Sequence, residues 1–486
     1  MKRIFILIAL ISAFATASAQ SYIGSNELLY HSQRSPQSNF LNPAIFPSQS
    51  MLYITAPAVD FSFSSPLSLS DMLTYTPGDS VTRIDFNKMC GKLSQNSAVN
   101  LSAEIDLIGL GFTFGNNFIT LNSRAIFGLG VGLPIEAINM LSQGNLDADG
   151  NVISQVDILN GDLINQYAYM ETAIGFGHEF ENLGLTVGGR VKLLGGISSI
   201  STTNTNVTLN TTPDMSDLTA NIYYNLQAAA YMPIDTANLS LISPEELTGY
   251  VPPINGIAFD LGATYRWKKW EFSAAILNLS KGIKWDQSYQ LEPEGSSSFS
   301  FSGLDITGSG LLENGTFNTD TLTSYYRTQL QNLNPKFSEG TSFTQPIPTK
   351  LNLGAGYQLT RNLRVGALFH GQWEHGWFNS HASGDPILAN FRSTTTLSAS
   401  FNIGNWFEII AGNSFVNDGN KFDVFNPGVG LILTPLSIIQ IYAMADYVSS
   451  IYVVEAKDLH LKVGLNILFG NKRFVDAEKE AKEAKE

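Results

Sequence analysis

Apolar and polar residues alternate one by one over residues 458–470. Leu459, Leu461, Val463, Leu465, Ile467 and Phe469 fall on one face, and His460, Lys462, Gly464 and Asn466 on the other. A period of two belongs to a β-strand, and alternation this strict means that one face meets an apolar medium and the other a polar one. The same dyad recurs along the chain. Ile119, Leu121, Ala125, Phe127, Leu129 and Val131 oppose Thr120, Asn122 and Arg124; Leu185, Val187, Val191 and Leu193 oppose Thr186, Arg190 and Lys192. It returns around Phe259, Leu353 and Phe369, with Asp260, Asn352 and His370 on the polar side. A helical period is almost absent. The expected fold is all-β, an antiparallel transmembrane β-barrel with a lipid-facing and a lumen-facing row on each strand.

Tight polar turns stand at Asn116-Asn117, Glu181-Asn182, Lys268-Lys269, Arg361-Asn362, Gly404-Asn405 and Pro435, with long polar connections between them. In outer-membrane barrels the short turns are periplasmic and the long loops extracellular. Counting residues 202–210 and 218–230 as wall strands gives about sixteen strands, but puts a long connection on the periplasmic side. Reading them as an extracellular hairpin leaves about fourteen strands, the expected number. These begin near Met51, Leu101, Phe118, Gln166, Leu185, Ile257, Trp270, Thr349, Leu363, Phe391, Phe407, Phe422, Leu436 and Asp458. Trp267, Trp270 and Trp406 flank tight turns, where indole rings are expected at the lipid–water interface.

The ends divide the chain further. Lys2-Arg3, an apolar run over residues 4–15 and Ala17-Ser18-Ala19 form an export signal, so residues 1–19 are expected to be removed. Residues 20–50, polar and carrying Pro36, Pro43 and Pro47, are expected to enter the lumen as a plug ahead of the barrel at 51–470. Residues 471–486 read as a charged, solvated periplasmic tail with carboxylate–amine pairs four apart. The composition agrees: 14% charged residues, 42 Gly, 30 Phe and 18 Tyr, with mean hydropathy near zero, lie between a soluble domain and a helical membrane protein. A net charge of −14 argues against nucleic acid as a partner. Cys90 alone allows no intramolecular disulfide.

At Asn42-Pro43-Ala44 the chain resembles FadL-like barrels, whose N-terminal hatch carries this tripeptide inside a fourteen-stranded wall. A wider resemblance is to a Gram-negative outer-membrane β-barrel family of unknown function, FadL-like and PorV-like in architecture. It rests on residues 187–195 (VGGRVKLLG), 259–265 (FDLGATY), 273–285 (SAAILNLSKGIKW), 348–357 and 463–470 (VGLNILFG). Asn278-Leu279-Ser280 stands where that family usually has Asp-Leu-Gly. The resemblance implies fold and location, and no settled activity.

Candidate chemistry is sparse. No nucleophile elbow, zinc-protease helix, Cys-x-x-Cys pair or phosphate loop is present, so neither an enzyme nor a cofactor is expected. His370, His375 and His381 do not have metal-ligand geometry on a strand, and no metal site is expected. Asp147 and Asp149 begin a calcium-like loop, but Val156 occupies the position of the bidentate carboxylate; an Asp-Gly turn is the simpler reading. The lumen-facing polar candidates are Arg124, Arg190, Lys192, Asp260, Arg266, Arg364, Glu374, Asp446 and Lys462. Mixed signs in a narrow barrel point to internal pairing with a plug rather than to an open pore. The expected partners are outer-membrane lipid and either a hydrophobic small molecule, for a transporter, or another envelope protein, for a barrel in secretion, assembly or surface attachment.

Overall fold

The computed structural model describes residues 27–470 except 33, 48–49, 76–81, 94–96, 145–149, 162, 203–204, 213–217, 232–251, 294–296, 302–311, 314–315, 318–334, 374–390, 405, 418–421, 436–437 and 448–453. The expected leader, the charged tail, Glu374, His375, His381, Asp147 and Asp149 lie outside the described residues. Fourteen strands form the wall: β1 (Leu52–Thr55, resuming as Ala58–Ser64), β2 (Ala98–Phe114), β3 (Asn117–Gly132), β4 (Ile164–Phe180), β5 (Leu185–Thr202), β6 (Ile254–Trp267) and β7 (Trp270–Ser280). The circuit continues through β8 (Thr349–Gln358), β9 (Leu363–Trp373), β10 (Phe391–Ile403), β11 (Phe407–Asn417), β12 (Phe422–Leu433), β13 (Ile439–Asp446) and β14 (Asp458–Phe469). Each pairs antiparallel with its neighbour, and β14 pairs back onto β1 from Leu52↔Phe469 to Ser64↔Asp458. The barrel is therefore closed and has no free edge.

The facing follows the alternation. Val463, Ile174, Ile257, Leu261 and Val59 are exposed on the outside, whereas Lys462, Asp260, Lys192 and Asn466 are buried inside. No described helix is long and apolar enough to cross a membrane; the strands make the crossing. Irregularities in β1 and β2 interrupt the alternation near the start of the wall. Pro57 lacks an N–H, and β1 takes four residue steps from Thr55 to Val59 where β14 takes three from Asn466 to Val463. In β2, Leu107 is a bulge between Asp106↔Arg124 and Ile108↔Ser123, so Leu107 and Ile108 both point outward.

The long connections gather at the end opposite the tight turns. Thr205–Thr211 pairs with Leu218–Tyr223 in a separate four-stranded sheet with Gln155–Gly161 and Ser297–Phe301. Leu226–Ala230 pairs with the outer end of β5. None of these segments is a wall strand, which leaves fourteen. Beside them, the helices Phe86–Cys90 and Ile135–Gln143 enclose a small core at Leu67, Leu93 and Ile138, where the free Cys90 is half-buried.

Candidate functional site: a plugged, charge-lined lumen

Inside the barrel three layers follow one another from the tight-turn end outward. The first is made by residues 27–47, which enter the lumen as a 3-10 turn (Glu27–Leu29) and a single helical turn (Ser38–Leu41) rather than a strand. Leu28, Leu29, Tyr30 and Leu41 pack on inward-facing Leu368, Ile410, Ile432, Tyr442 and Met444. Polar groups fix the orientation. Arg34 donates to the carbonyls of Gly404 (2.7 Å) and Phe407 (3.3 Å), Ser32 to Glu408 (3.1 Å) and Gln37 to Asn466 (2.9 Å). The hydroxyls of Thr394 and Thr396 donate to the Glu27 carboxylate.

Asn42, Pro43 and Ala44 form the tight corner of this insert. The Asn42 oxygen accepts from the Ala44 N–H (2.9 Å), and its amide donates to the Tyr30 hydroxyl (3.1 Å) and toward the carbonyls of Ala263 and Ala274 (both 3.4 Å). The wall opposite is glycine. A Cβ at Gly262 would stand 2.1 Å from the Asn42 oxygen, and one at Gly188 would stand 2.2 Å from the Pro43 carbonyl oxygen. Gly354 and Gly366 make the same room for Tyr30 and His31. Only a residue without a side chain lets the plug come this close to the sheet.

The second layer is charged. Arg124 bridges Glu104 (3.0 Å) and Glu171 (2.8 Å); Lys192 bridges Glu171 (3.2 Å) and Asp260 (3.0 Å); Arg190 lies 3.5 Å from Asp260. Across the lumen Lys462 reaches Asp60 (3.4 Å) and Asp106 (3.5 Å), and the two nitrogens of His460 meet Asp60 (2.6 Å) and Asp446 (3.2 Å). Charges this deeply buried persist only when paired. The plug joins the network through Phe40, whose ring carries Arg124 at 4.7 Å, Arg190 at 5.7 Å and Lys462 at 5.8 Å, and through Asn39, which accepts from Arg190. Asn278 holds one corner from a left-handed position (φ 59°) at a bulge in β7. Its N–H donates to Asp260 (2.8 Å), its side-chain oxygen accepts from Lys192 (2.6 Å), and its amide donates to the Pro348 carbonyl (3.0 Å). The cavity left between Phe40, Glu104, Lys192, Tyr169 and Lys350 is about 40 Å³. That is room for about three waters.

The third layer is apolar. The pair of short strands Ile283–Trp285 and Phe343–Gln345 packs onto the inner wall, where Trp285, Ile283 and Ile347 meet Ile126, Tyr167, Tyr169 and Leu194. Trp285 lies against Gly196, where a Cβ would stand 2.7 Å from the ring, and Ser199 donates to Gln345 (2.7 Å). The lumen is thus stoppered at two levels with a small, polar-lined cavity between.

Of the sequence candidates, Arg124, Arg190, Lys192, Asp260, Asp446 and Lys462 meet in the charged layer. Arg364 is buried lower in the barrel against Glu271 (2.8 Å). Arg266 is half-exposed at the tight-turn rim, 3.3 Å from Glu271 and 3.4 Å from Glu179. Among the described residues no group of three or more His, Cys, Asp or Glu is placed to hold a metal, and His370 hydrogen-bonds to Asn352 (2.6 Å).

Residues 43–446 match the model of a family described as "Family of unknown function (DUF5723)". The chain belongs to this family. No curated protein matches it. Among solved structures the DUF5723 chain is similar to the Ralstonia pickettii toluene transporter TbuX (9% identity, 90% of this chain and 94% of that chain covered, TM-score 0.40). It is similar also to a Pseudomonas aeruginosa FadL homologue (9%, 94% and 97%, TM-score 0.41) and the Pseudomonas putida toluene transporter TodX (10%, 94% and 95%, TM-score 0.38). The closed antiparallel wall, the apolar exterior and the aromatic residues at the tight turns are those of an outer-membrane barrel.

Sequence reading of this DUF5723 barrel left out Glu27, Phe40, Glu171 and the Trp285 stopper. Glu171 carried a usable signal, as the charged member of an alternating run with Tyr169 and Ala173. Nothing local marks Trp285 as lumen-bound, because its strand is three residues long.

Proposed function

We propose that this barrel is a gated, non-enzymatic path for small apolar molecules across the outer membrane, closed in the state described. The observation that carries the reading is the double stopper: a plug and an outer apolar layer, separated by a cavity of about 40 Å³. The plug is held by side-chain hydrogen bonds and glycine contacts, which are individually worth about 1 kcal/mol and can be exchanged. The outer layer of Trp285, Tyr167 and Ile347 offers an apolar solute its first desolvated surface. On this reading residues 1–19 are cleaved on export, and residues 471–486 are a periplasmic tail.

The test is accumulation of an apolar fluorescent dye in vesicles holding the chain, its Asn42→Ala and Trp285→Ala variants and their combination. Two stoppers in series predict that the combination exceeds either single variant. A combination no faster than the parent, with the barrel still folded, would sink the transport reading. A second reading, a partner barrel for secretion or surface attachment, is favoured by the four-stranded sheet outside the wall. It predicts instead a protein that stays bound through gentle detergent extraction and is lost when Thr205–Thr211 and Leu218–Tyr223 are replaced by a short linker.

A further inference from the structure

One corner of the tight-turn rim differs from the rest. The turn between β6 and β7 is Trp267-Lys268-Lys269-Trp270, and Lys268 occupies it with φ 54°, in the left-handed region that favours glycine. The neighbouring turn between β8 and β9 carries Arg361, and the Gln358 N–H donates to the Lys269 carbonyl (2.9 Å), which binds the two turns side by side. Lys268, Lys269 and Arg361 are exposed, and among the described residues none of them makes a salt bridge. The carboxylates next to them are engaged: Glu271 with Arg266 and Arg364, and Glu179 with Arg266. Glu181, on the adjoining turn, is the exposed acid nearby. In a chain of net charge −14 this is a local reversal of sign. The other described tight turns, at Gly115-Asn116, Gly404 and Thr434-Pro435, contain no cation.

Directly toward the membrane centre lies an aromatic platform. Lys268 stands 5.3 Å over the Trp267 ring, Trp270 meets Tyr357 at 4.7 Å, and Trp270 stacks on Phe272 at 5.8 Å. Trp267, Trp270 and Phe272 are exposed on the lipid side. Next along, Ala355 pairs with Phe272 on one side and with Ala367 on the other, so small side chains leave a trough beside the rings. Three unpaired cations above an aromatic wall and a trough form two zones: one for a phosphate, one for acyl chain.

We propose that this corner binds an anionic diacyl phospholipid of the periplasmic leaflet, its phosphate among Lys268, Lys269 and Arg361 and an acyl chain along Trp270, Phe272 and Ala355. Basic side chains at a membrane surface each favour anionic lipid by a fold-change of about five. The test uses the full chain in phosphatidylcholine vesicles doped with brominated phosphatidylglycerol or brominated phosphatidylcholine, with tryptophan quenching as readout. The parent should prefer phosphatidylglycerol by about fivefold or more, and a Lys268→Asn, Lys269→Asn, Arg361→Asn variant should lose that preference while still migrating as a folded barrel. Equal quenching by both lipids in the parent, or an unchanged preference in the folded triple variant, overturns the assignment. Abolition of the preference by millimolar inorganic phosphate at constant ionic strength also overturns it, in favour of a site for free anions. A triple variant that does not fold leaves the parent comparison, with single Lys268→Asn and Arg361→Asn chains, to decide.

Discussion

The carbonyl oxygen of Pro43 stands 2.2 Å from the point where Gly188 would carry a Cβ. The contact is backbone to backbone, so no rotamer change relieves it. Gly188→Val should therefore lift the plug from its seat, at an overpacking cost of about 1–3 kcal/mol. Gly189→Val is the control, since its Cβ would stand 3.6 Å from its nearest neighbour, the Leu261 side chain. Single-channel recording should show frequent openings in the first variant and parent-like closure in the second. Identical traces would mean that the plug is not seated through this contact.

Asp260 is shared by Arg190, Lys192 and the Asn278 N–H. Asp260→Ala leaves two buried cations short of their partner and should cost about 3–5 kcal/mol. Asp260→Asn keeps an acceptor for Asn278 and should cost less. The urea midpoint of the reconstituted barrel measures both, and an unshifted midpoint for the alanine variant would show that the charged layer is not under electrostatic tension.

Depth in the bilayer grades the outside face. Arginine in place of Val463, in mid-belt, should impair assembly by about 2–4 kcal/mol, and in place of Phe469, at the tight-turn end, by about 0–1 kcal/mol. Heat-modifiable mobility on gels reads the folded fraction. A larger defect at Phe469 than at Val463 would misplace the membrane.

Asp71, outside the wall, ties the outer helices to the end of the connection before β14. Burial opposes its ionisation, but Lys92, the Ser68 N–H and hydroxyl, and Lys457 outweigh burial and hold the carboxyl well below the usual carboxylate range. The folded value is depressed, so its stabilisation is full at neutral pH and fades as pH falls below that of an ordinary carboxylate. Relative to the intrinsic amide rate at each pH, hydrogen exchange in residues 68–72 and 86–93 should accelerate at low pH in the parent. In Asp71→Asn it should be fast already at pH 7; slow exchange there would refute the tie.

The wall was legible because lipid and lumen impose a period of two on every strand, and the tight turns fix its register. Fourteen rather than sixteen strands followed from residues 202–230 alone, where the length of the next connection decided the side. The interior was harder. Arg124, Lys192 and Lys462 are visible as polar residues on apolar strands, but alternation does not say which acids they meet: Glu104 and Glu171 lie on neighbouring strands, whereas Asp60 and Asp106 reach Lys462 from the opposite end of the sequence. Asn278 stood out only as a departure from Asp-Leu-Gly, and its left-handed bulge shows why a residue tolerant of that conformation sits there. Trp285 was hidden because alternation tells which way a wall residue points and says nothing of a loop that turns inward.

The plug's seat has a consequence for biogenesis. Leu41 accepts from Asn352, His31 meets Ala367, Glu27 takes hydroxyls from β10, and Gln37 is held by Asn466 in the last strand, 429 positions later. No subset of early strands supplies that surface. The plug's full set of contacts therefore exists only once β14 is in place beside β1. Until then its apolar turn, Leu28-Leu29-Tyr30, lacks the cover that Leu368, Ile410, Ile432 and Tyr442 give it, and apolar surface left open in this way favours aggregation during assembly.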